Sequence, residues 1–342
     1  MLLKQPFYFI LIISTLLLAS CSGGAPIPTA APLELPPLPP TEAPTLTPLP
    51  AATRVLVANG GQLPEVDVQQ VMAQALGLGG ATGLTVELVP QLTAEMLTPD
   101  VKLAIVLPPD PGVTDMASRY PGIRFVTIAI PGITPSANLF TIGADGAHPE
   151  WPGFVAGYIA AITTYEWRVG ALTQTGSNDG LLAGDAFRNG AMFFCGLCNP
   201  YFTPFTDYPI AMEMNPAPTQ AEWQPWADAF IASGVKTAYV YPGVANPEML
   251  AYLAQKSLKL IGGQLPSDEL RPAWIASINL DYSSPLEDVW SEVMGDTPGR
   301  DLPVGIKLGD IDASVLGDGK LRLVNEIIAL LTSGTIAPNT IQ

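Results

Sequence analysis

Polar residues that follow apolar runs in the middle of the chain are the side chains best placed to do chemistry. One run ends at Thr173 and leads into a polar loop, where Asn178 and Asp179 supply an amide and a carboxylate. A later run ends at Tyr241 and leads to Asn246. In open α/β sheets, ligands bind beyond the carboxyl ends of the strands. These groups are therefore candidates for hydrogen bonding to a small ligand, and the alternative is that they are solvated loop residues.

Weaker candidates lie earlier in the chain. Asn59 follows the first predicted strand, and Asp110 follows the third. Trp151 and Phe154 stand at the start of a predicted helix, where their rings could stack on a flat ligand. The alternative for both aromatic residues is packing in the core of their own lobe. This alternative is favoured for Phe154, because Phe154 lies inside the helix.

Catalytic groups are scarce in this sequence. His148 is the only histidine, and no GxSxG nucleophile motif accompanies it. A Ser-His-Asp triad needs a histidine base, and zinc sites normally use several His or Cys ligands. Hydrolase and metalloenzyme chemistry are therefore disfavoured, although carboxylate chemistry stays open. We expect no enzymatic activity, no cofactor and no metal.

Cys195 and Cys198 form a CxxC pair. In the cytoplasm this spacing indicates redox or metal chemistry, whereas in an exported protein it indicates a disulfide. No second cysteine pair exists to complete a zinc site. Because the start of the chain favours export, we predict a structural disulfide. Free thiols and a redox or metal site are the alternatives.

The bulk composition indicates a globular protein that does not bind nucleic acid. Of the 342 residues, 48 % are hydrophobic and 13 % are charged, and the net charge is −16. The 15 Lys and Arg residues are scattered with no two adjacent, whereas binding to a phosphate backbone needs clustered cations. The length is sufficient for two lobes with separate cores.

The start of the chain has the composition of a targeting segment followed by a tether. Residues 1–20 combine the single cation Lys4 with an apolar core, as secretory signals do. The segment LASC that ends at Cys21 resembles the lipobox of bacterial lipoproteins, which implies acylation of Cys21, for example by palmitate, and a membrane anchor. The alternative is an ordinary signal peptide with a chance cysteine. Residues 21–52 contain ten prolines and are predicted to form an extended tether.

Strands and helices alternate through the rest of the chain, which is typical of parallel βαβ units. We predict two Rossmann-like α/β lobes with parallel sheets, joined by a hinge at residues 143–146, 278–282 and 301–304. Lobe 1 would comprise residues 53–145 and 281–303, and lobe 2 residues 146–280 and 304–335. Within lobe 1, the helix that begins at Val66 is expected to end where residues 77–83 supply four glycines.

Three segments in the second half of the chain carry a family likeness. Residues 149–161 read PEWPGFVAGYIAA, an acidic and an aromatic residue followed by a pattern of small residues. Residues 168–170 read RVG, and residues 187–191 read FRNGA. These segments, and the order of elements over residues 120–335, resemble the basic membrane protein (BMP) family of lipoproteins. Members of that family are substrate-binding proteins of ABC transporters with the type I periplasmic-binding-protein fold.

The resemblance implies an extracytoplasmic, lipid-anchored solute-binding protein of an ABC importer. Its two lobes would close over a small, nucleoside-like ligand, and its partners would be that ligand, the ABC permease and the membrane. Gln264 and Leu280 stand where the family has an aspartate and a lysine that contact the ligand, so Gln264 joins the candidate binding residues. A ligand-sensing surface lipoprotein without transport is the alternative, and a hydrolase is a more distant one.

Overall fold

The structure, a computed structural model, describes residues 53–339. The predicted signal segment, the lipidation site Cys21 and the proline-rich tether lie outside the described residues. Within residues 53–339, no helix is both long enough and apolar enough to cross a membrane.

Strands and helices alternate along the described chain. In chain order they are β1 (Arg54–Ala58), α1 (Glu65–Ala81), β2 (Thr85–Val89), β3 (Val101–Val106), α2 (Val113–Arg119), β4 (Arg124–Ile128), β5 (Leu139–Ile142), α3 (Glu150–Thr163), β6 (Val169–Gln174), α4 (Asn178–Cys195), β7 (Ile210–Met214), α5 (Gln220–Ala232), β8 (Thr237–Val240), α6 (Pro247–Gln255), β9 (Lys259–Gly262), β10 (Trp274–Asp281), α7 (Ser283–Met294), β11 (Asp301–Leu302), β12 (Gly305–Gly309) and α8 (Asp318–Thr332).

These elements form two α/β lobes, each built on a sheet of six strands. The strand order in lobe 1 is β11-β5-β4-β3-β1-β2, and all its neighbours are parallel. The order in lobe 2 is β12-β10-β9-β8-β6-β7. The predicted fold class of two α/β lobes is confirmed.

The last strand of lobe 2 departs from the prediction of purely parallel sheets, because β12 runs antiparallel to β10. The cause is the connection that leads into it. Two residues separate β11 in lobe 1 from β12 in lobe 2, whereas a parallel connection needs a crossover of a dozen residues or so. The chain leaves the carboxyl end of one sheet and enters the other from the same side, so β12 runs in the opposite direction.

Strand periodicity explains how the lobe 1 sheet is buried on both faces. Successive side chains of a strand point to opposite faces. In β1, Val55 and Val57 pack in the cluster that contains residues of α1 and α7. Leu56 and Ala58 pack in the cluster that contains residues of α2. A continuous apolar run is therefore required of this strand, as the sequence shows.

Helix α1 continues through most of the glycine segment that was expected to end it. It extends to Ala81, so the prediction of a break at residue 77 is wrong. Packing explains why one residue of this segment, Gly79, is a glycine, because a Cβ atom there would lie 2.6 Å from Cγ2 of Val86 in β2. A glycine at this position lets the helix approach the sheet closely, and this packing outweighs the low helix propensity of glycine.

Two glycines of α1 are expected to respond in opposite directions to the same substitution. Gly77 has open space where a Cβ atom would lie, so Gly77→Ala should raise the free energy of unfolding by about 0.5–1 kcal/mol. Gly79→Ala should lower it, because the new methyl group would press on Val86. Urea unfolding of both variants measures the difference. Equal effects at both positions would contradict this account of the glycine segment.

The chain passes between the two sheets three times. The passages are residues 143–149 between β5 and α3, Tyr282 between β10 and α7, and residues 303–304 between β11 and β12. They are where a relative rotation of the lobes would have to occur. That the lobes move as two bodies about these passages stays a prediction.

Candidate functional site

A cavity lies between the two lobes, beyond the carboxyl ends of the lobe 2 strands. It is narrow, with a volume of about 30 Å³, and part of it is open to solvent. Its lining comes from both lobes and from the first passage between them. The lining residues are Pro64, Val66, Asp67, Ala147, Pro149, Pro152, Asp179, Tyr239, Tyr241, Pro242, Ile278, Asn279 and Leu280.

The carboxyl group of Asp67 is the least expected feature of this cavity. Asp67 lies in the first turn of α1 and is only 6 % exposed. No described residue donates a hydrogen bond to its side chain, and burial raises the pKa of Asp67 to about 7. A buried carboxylate without a partner is costly, so groups of this kind concentrate at functional sites.

Sequence reasoning missed Asp67 because an acidic residue near a helix start usually indicates a solvated first turn. A signal was nevertheless present. Asp67, Val71 and Ala75 are spaced four residues apart and so share one helix face, and all three are buried. The apolar residues on that face would have predicted burial of the carboxylate.

Asp179 and Tyr241 are the two predicted binding residues that line the cavity. Burial raises the pKa of Asp179, and the nearby negative charge of Glu150 adds to the effect. Tyr241 is 6 % exposed, and burial, followed by the charges of Asp179 and Asp67, raises the pKa of its hydroxyl. Carboxylates from both lobes therefore act on the same phenol.

Gln264 lies beside the cavity without lining it. Both polar atoms of its amide are buried, and they have no hydrogen-bond partner among the described residues. The preceding Gly263 lies against Pro242 and Asn279, because a Cβ atom there would be 2.8 Å from Cγ of Pro242 and 2.9 Å from Oδ1 of Asn279. Gln264 itself is not among the residues that line the cavity.

Trp151 connects the lobes rather than lining the cavity. It belongs to α3, yet its side chain packs against the core cluster of lobe 1. Its ring stacks on His148, with centroids 4.1 Å apart. Nδ1 of His148 lies 2.8 Å from Oε1 of Glu150, and Nε2 lies 2.9 Å from Oδ2 of Asp145, at an angle unsuited to a hydrogen bond. The first passage is therefore tied to α3 by stacking and charge, and α3 contacts lobe 1 through Trp151.

The hydrogen bond with Glu150 raises the pKa of His148 above 6.5, although burial opposes the shift and Asp145 supports it. The protonated ring stabilises the passage below pH 6.5, and this stabilisation is lost as the pH rises through the raised pKa. We therefore expect the melting temperature of the wild type, relative to that of His148→Gln, to fall as the pH rises from 6.5 through the raised pKa of His148. Thermal melts of both proteins at pH 6 and pH 8.5 measure the effect. A constant difference between the two melting temperatures would contradict it.

Four predicted binding residues instead satisfy local backbone groups or remain in the solvent. Oδ1 of Asn59 accepts a hydrogen bond from Gly61 N, and Oδ1 of Asp110 accepts from the backbone of the α2 start. Asn246 caps α6 by accepting from Glu248 N and Met249 N. Asn178 is exposed at the start of α4. Asn and Asp favour such turn and cap positions, which often follow strands in α/β folds.

Phe154 and Thr173 lie in the interior of lobe 2. Phe154 is 2 % exposed in the core cluster and meets Phe193 edge to face. Thr173, at 1 % exposure, is covered by Gly184 of α4. We leave both residues out of the proposed binding site.

Cys195 and Cys198 are paired as a disulfide at the end of α4. The neighbouring apolar side chains are exposed, with Leu197 at 79 %. This turn does not contribute to the cavity lining. Among residues 53–339, no group of three or more His, Cys, Asp or Glu residues is arranged to hold a metal ion.

Solved structures similar to this chain share its two-lobed architecture. A solute-binding protein of an ABC transporter system from Aeropyrum pernix K1 has a TM-score of 0.57 at 15 % identity, over 84 % of this chain and 93 % of that one. A solute-binding protein from Agrobacterium vitis, bound with α-D-tagatopyranose, has a TM-score of 0.51 at 11 % identity, over 79 % and 98 % of the two chains.

A protein with a different role shows the same likeness. A transcriptional activator of the comK gene from Bacillus halodurans has a TM-score of 0.56 at 13 % identity, over 84 % of this chain and 99 % of that one. No protein-family model matches the sequence, and no curated protein matches it either. At these identities the likeness concerns the fold alone. The chain therefore has the two-lobed α/β fold of the periplasmic binding proteins.

Proposed function

We propose that this chain is an extracytoplasmic solute-binding protein that closes its two lobes over a small molecule. The observation that supports this most directly is the cavity between the lobes, where Asp67 of lobe 1 faces the same space as Asp179 and Tyr241 of lobe 2. Polar groups from two bodies around one cavity are what a ligand needs in order to bridge them.

Closure would follow from binding without any chemical step. A ligand that touches Asp67 and Asp179 together makes both contacts only when the lobes are near each other. It therefore binds the closed state more tightly and shifts the population towards it. The three passages between the sheets would act as the hinge, and the packing of Trp151 on lobe 1 would limit the rotation.

The cellular setting of this proposal comes from the sequence. The signal segment and the lipobox-like Cys21 favour a lipid-anchored protein outside the cytoplasm, and the proline-rich tether favours a body held clear of the membrane. The likeness to solute-binding proteins of ABC systems supports an ABC permease as the partner. Membership of the BMP family and a nucleoside-like ligand belong to the same proposal.

A surface receptor that senses a ligand without transporting it is the second candidate. The likeness to a transcriptional activator favours it, because the same fold there belongs to a regulatory protein. The two candidates share the binding step and differ only in the partner.

A thermal-shift screen tests the binding step. The full chain, purified in detergent, would be mixed with nucleosides, sugars, amino acids and short peptides, and a specific ligand should raise the melting temperature in a saturable way. Asp179→Asn should weaken that response. Asp110→Asn removes the same charge outside the cavity, so it should leave the response unchanged. If no solute shifts the midpoint, or if the two variants behave alike, the proposal fails.

A further inference from the structure

The cavity between the lobes carries negative charge without a lining residue that can balance it. Asp67 and Asp179 both line it, and none of the lining residues is a Lys or an Arg. The imidazole of His148, next to Ala147 and Pro149 of the lining, is engaged by Asp145 and Glu150. An unbalanced pair of carboxylates in a partly enclosed space favours a cation as their partner.

Asp67, which lines the cavity, and Tyr282, which lies on the second passage, both have side-chain oxygens without a hydrogen-bond donor among the described residues. Asp67 is more than nine-tenths buried, and no residue within 53–339 donates to its carboxylate. The hydroxyl of Tyr282, on the second passage, is buried and unpaired in the part of the chain that the structure describes. The charges of Asp67 and Asp179 act on this hydroxyl and on that of Tyr241. The two carboxylates therefore interact electrostatically with both phenols.

Apart from the amide of Asn279 and the tyrosine hydroxyls, the remaining wall of the cavity is apolar and poor in hydrogen-bond donors. Prolines, which have no backbone N–H group, occupy four positions of the lining. Val66, Ile278 and Leu280 add aliphatic surface, and the rings of Tyr239 and Tyr241 add aromatic surface. Aromatic faces attract cations, and aliphatic walls favour an apolar body. A polyhydroxylated ligand would find few donors here and would leave both negative charges unbalanced.

We propose that the ligand is a small organic cation, a protonated amine with an apolar body, whose ammonium group is held by Asp67 and Asp179 against the tyrosine rings. This inference rests on the proposed solute-binding function and specifies the class of solute. Asp67 supplies the charge from lobe 1 and Asp179 from lobe 2, so the ammonium group is also the element that draws the lobes together.

Isothermal titration calorimetry of the full chain in detergent, with matched probes, tests this inference. Benzylamine and 1,4-diaminobutane are the cationic probes, and benzyl alcohol and 1,4-butanediol are their neutral counterparts. We expect saturable binding of at least one amine and none of its neutral counterpart. Asp67→Asn should weaken amine binding by roughly a hundredfold, as for the loss of a buried charge partner. Asp110→Asn should leave the affinity unchanged.

A second readout depends on the protonation of Asp67, which faces Tyr239, Tyr241, Tyr282 and Asp179. Because the pKa of Asp67 is about 7, part of this carboxyl group carries a proton at pH 7. Binding of an ammonium group would displace that proton, and the measured heat would depend on the ionisation enthalpy of the buffer. Asp67→Asn should remove this dependence, whereas Asp179→Asn should weaken binding and retain it.

The outcomes separate this inference from the proposed function. If a sugar or nucleoside from the solute screen binds in an Asp179-dependent manner and no amine does, the cationic ligand is wrong and solute binding stands. If the neutral counterparts bind as well as the amines, the cationic ligand is wrong too. If no probe of any class binds, both proposals fail.

Discussion

Asp67→Asn is expected to stabilise the ligand-free protein at pH 8 by up to about 4 kcal/mol. This upper figure follows from the rise of the Asp67 pKa from 3.8 to about 7, at about 1.4 kcal/mol for each pH unit. The cause is burial of the carboxylate without a donor or a cation. Asparagine has nearly the same shape and carries no charge, so the variant avoids this cost.

The pKa of Asp67 determines the direction in which the stability of the protein should change with pH. Below pH 3.8, Asp67 is protonated in both the folded and the unfolded state and contributes no penalty. Between pH 3.8 and about 7, the unfolded state loses the proton while the folded state keeps it, so wild-type stability falls as the pH rises. The penalty is complete above pH 7, where Tyr239, Tyr241, Tyr282 and Asp179 surround the carboxylate without neutralising it.

Urea unfolding of both proteins at pH 4, 6 and 8 measures this dependence. The difference in unfolding free energy should grow with pH and level off above pH 7. Burial of the amide that Asp67→Asn introduces has a free-energy cost that does not change with pH. This cost therefore does not affect how the difference between the two proteins varies with pH. A difference that stays the same at all three values would contradict the account of Asp67. A stable variant that no longer binds the ligand would show that the carboxylate is retained for binding at the expense of stability.

Gly157→Val is expected to cause the largest loss of stability in lobe 2, about 3 kcal/mol or more. Gly157 lies where α3 crosses α4, and both helices are in direct backbone contact there. A Cβ atom at Gly157 would overlap the carbonyl oxygen of Phe187 and would lie 2.8 Å from the backbone nitrogen of Ala191. Backbone atoms of a helix cannot turn aside as a side chain can, so the helices would have to separate.

The control for this variant is Gly77→Val, which makes the same change at a helical position with open space around it. Its unfolding free energy should stay within about 0.5 kcal/mol of the wild type. Circular dichroism and urea unfolding of the two variants give the comparison. Equal losses would show that β-branching in a helix, and not the approach of α3 to α4, is responsible.

Local patterns in the sequence were sufficient to predict the architecture and to direct attention to two of the residues that line the cavity. Apolar runs such as Val101–Val106 alternate with helical periodicity, and this alternation leads to two α/β lobes. The rule that ligands bind beyond strand ends placed Asp179 and Tyr241 at the cavity, because strand ends can be read from where an apolar run stops. Ligand contact by these residues stays a prediction.

Other parts of the site depend on contacts that are distant in sequence. Asn59, Asp110 and Asn246 also follow strands, yet their side chains bond to nearby backbone groups instead of facing the cavity. A polar residue after a strand can either cap a turn or helix or bind a ligand, and only the tertiary structure decides which. Phe154 is a similar case, since the approach of α4 buries it in the core.

The sequence by itself determined the secondary-structure rhythm, the two-lobed fold class and the shortage of catalytic and cationic groups, because these follow from composition and from periodicity along the chain. Only the tertiary structure decided that Asp67 is a cavity residue and that β12 runs antiparallel. The burial of Asp67 depends on where the first turn of α1 lies relative to the ends of β8 and β10, which line the same cavity and are more than 170 residues away along the chain. A charge at a helix start has the same sequence signature whether it faces water or a closed cleft, and the packing around it makes the difference.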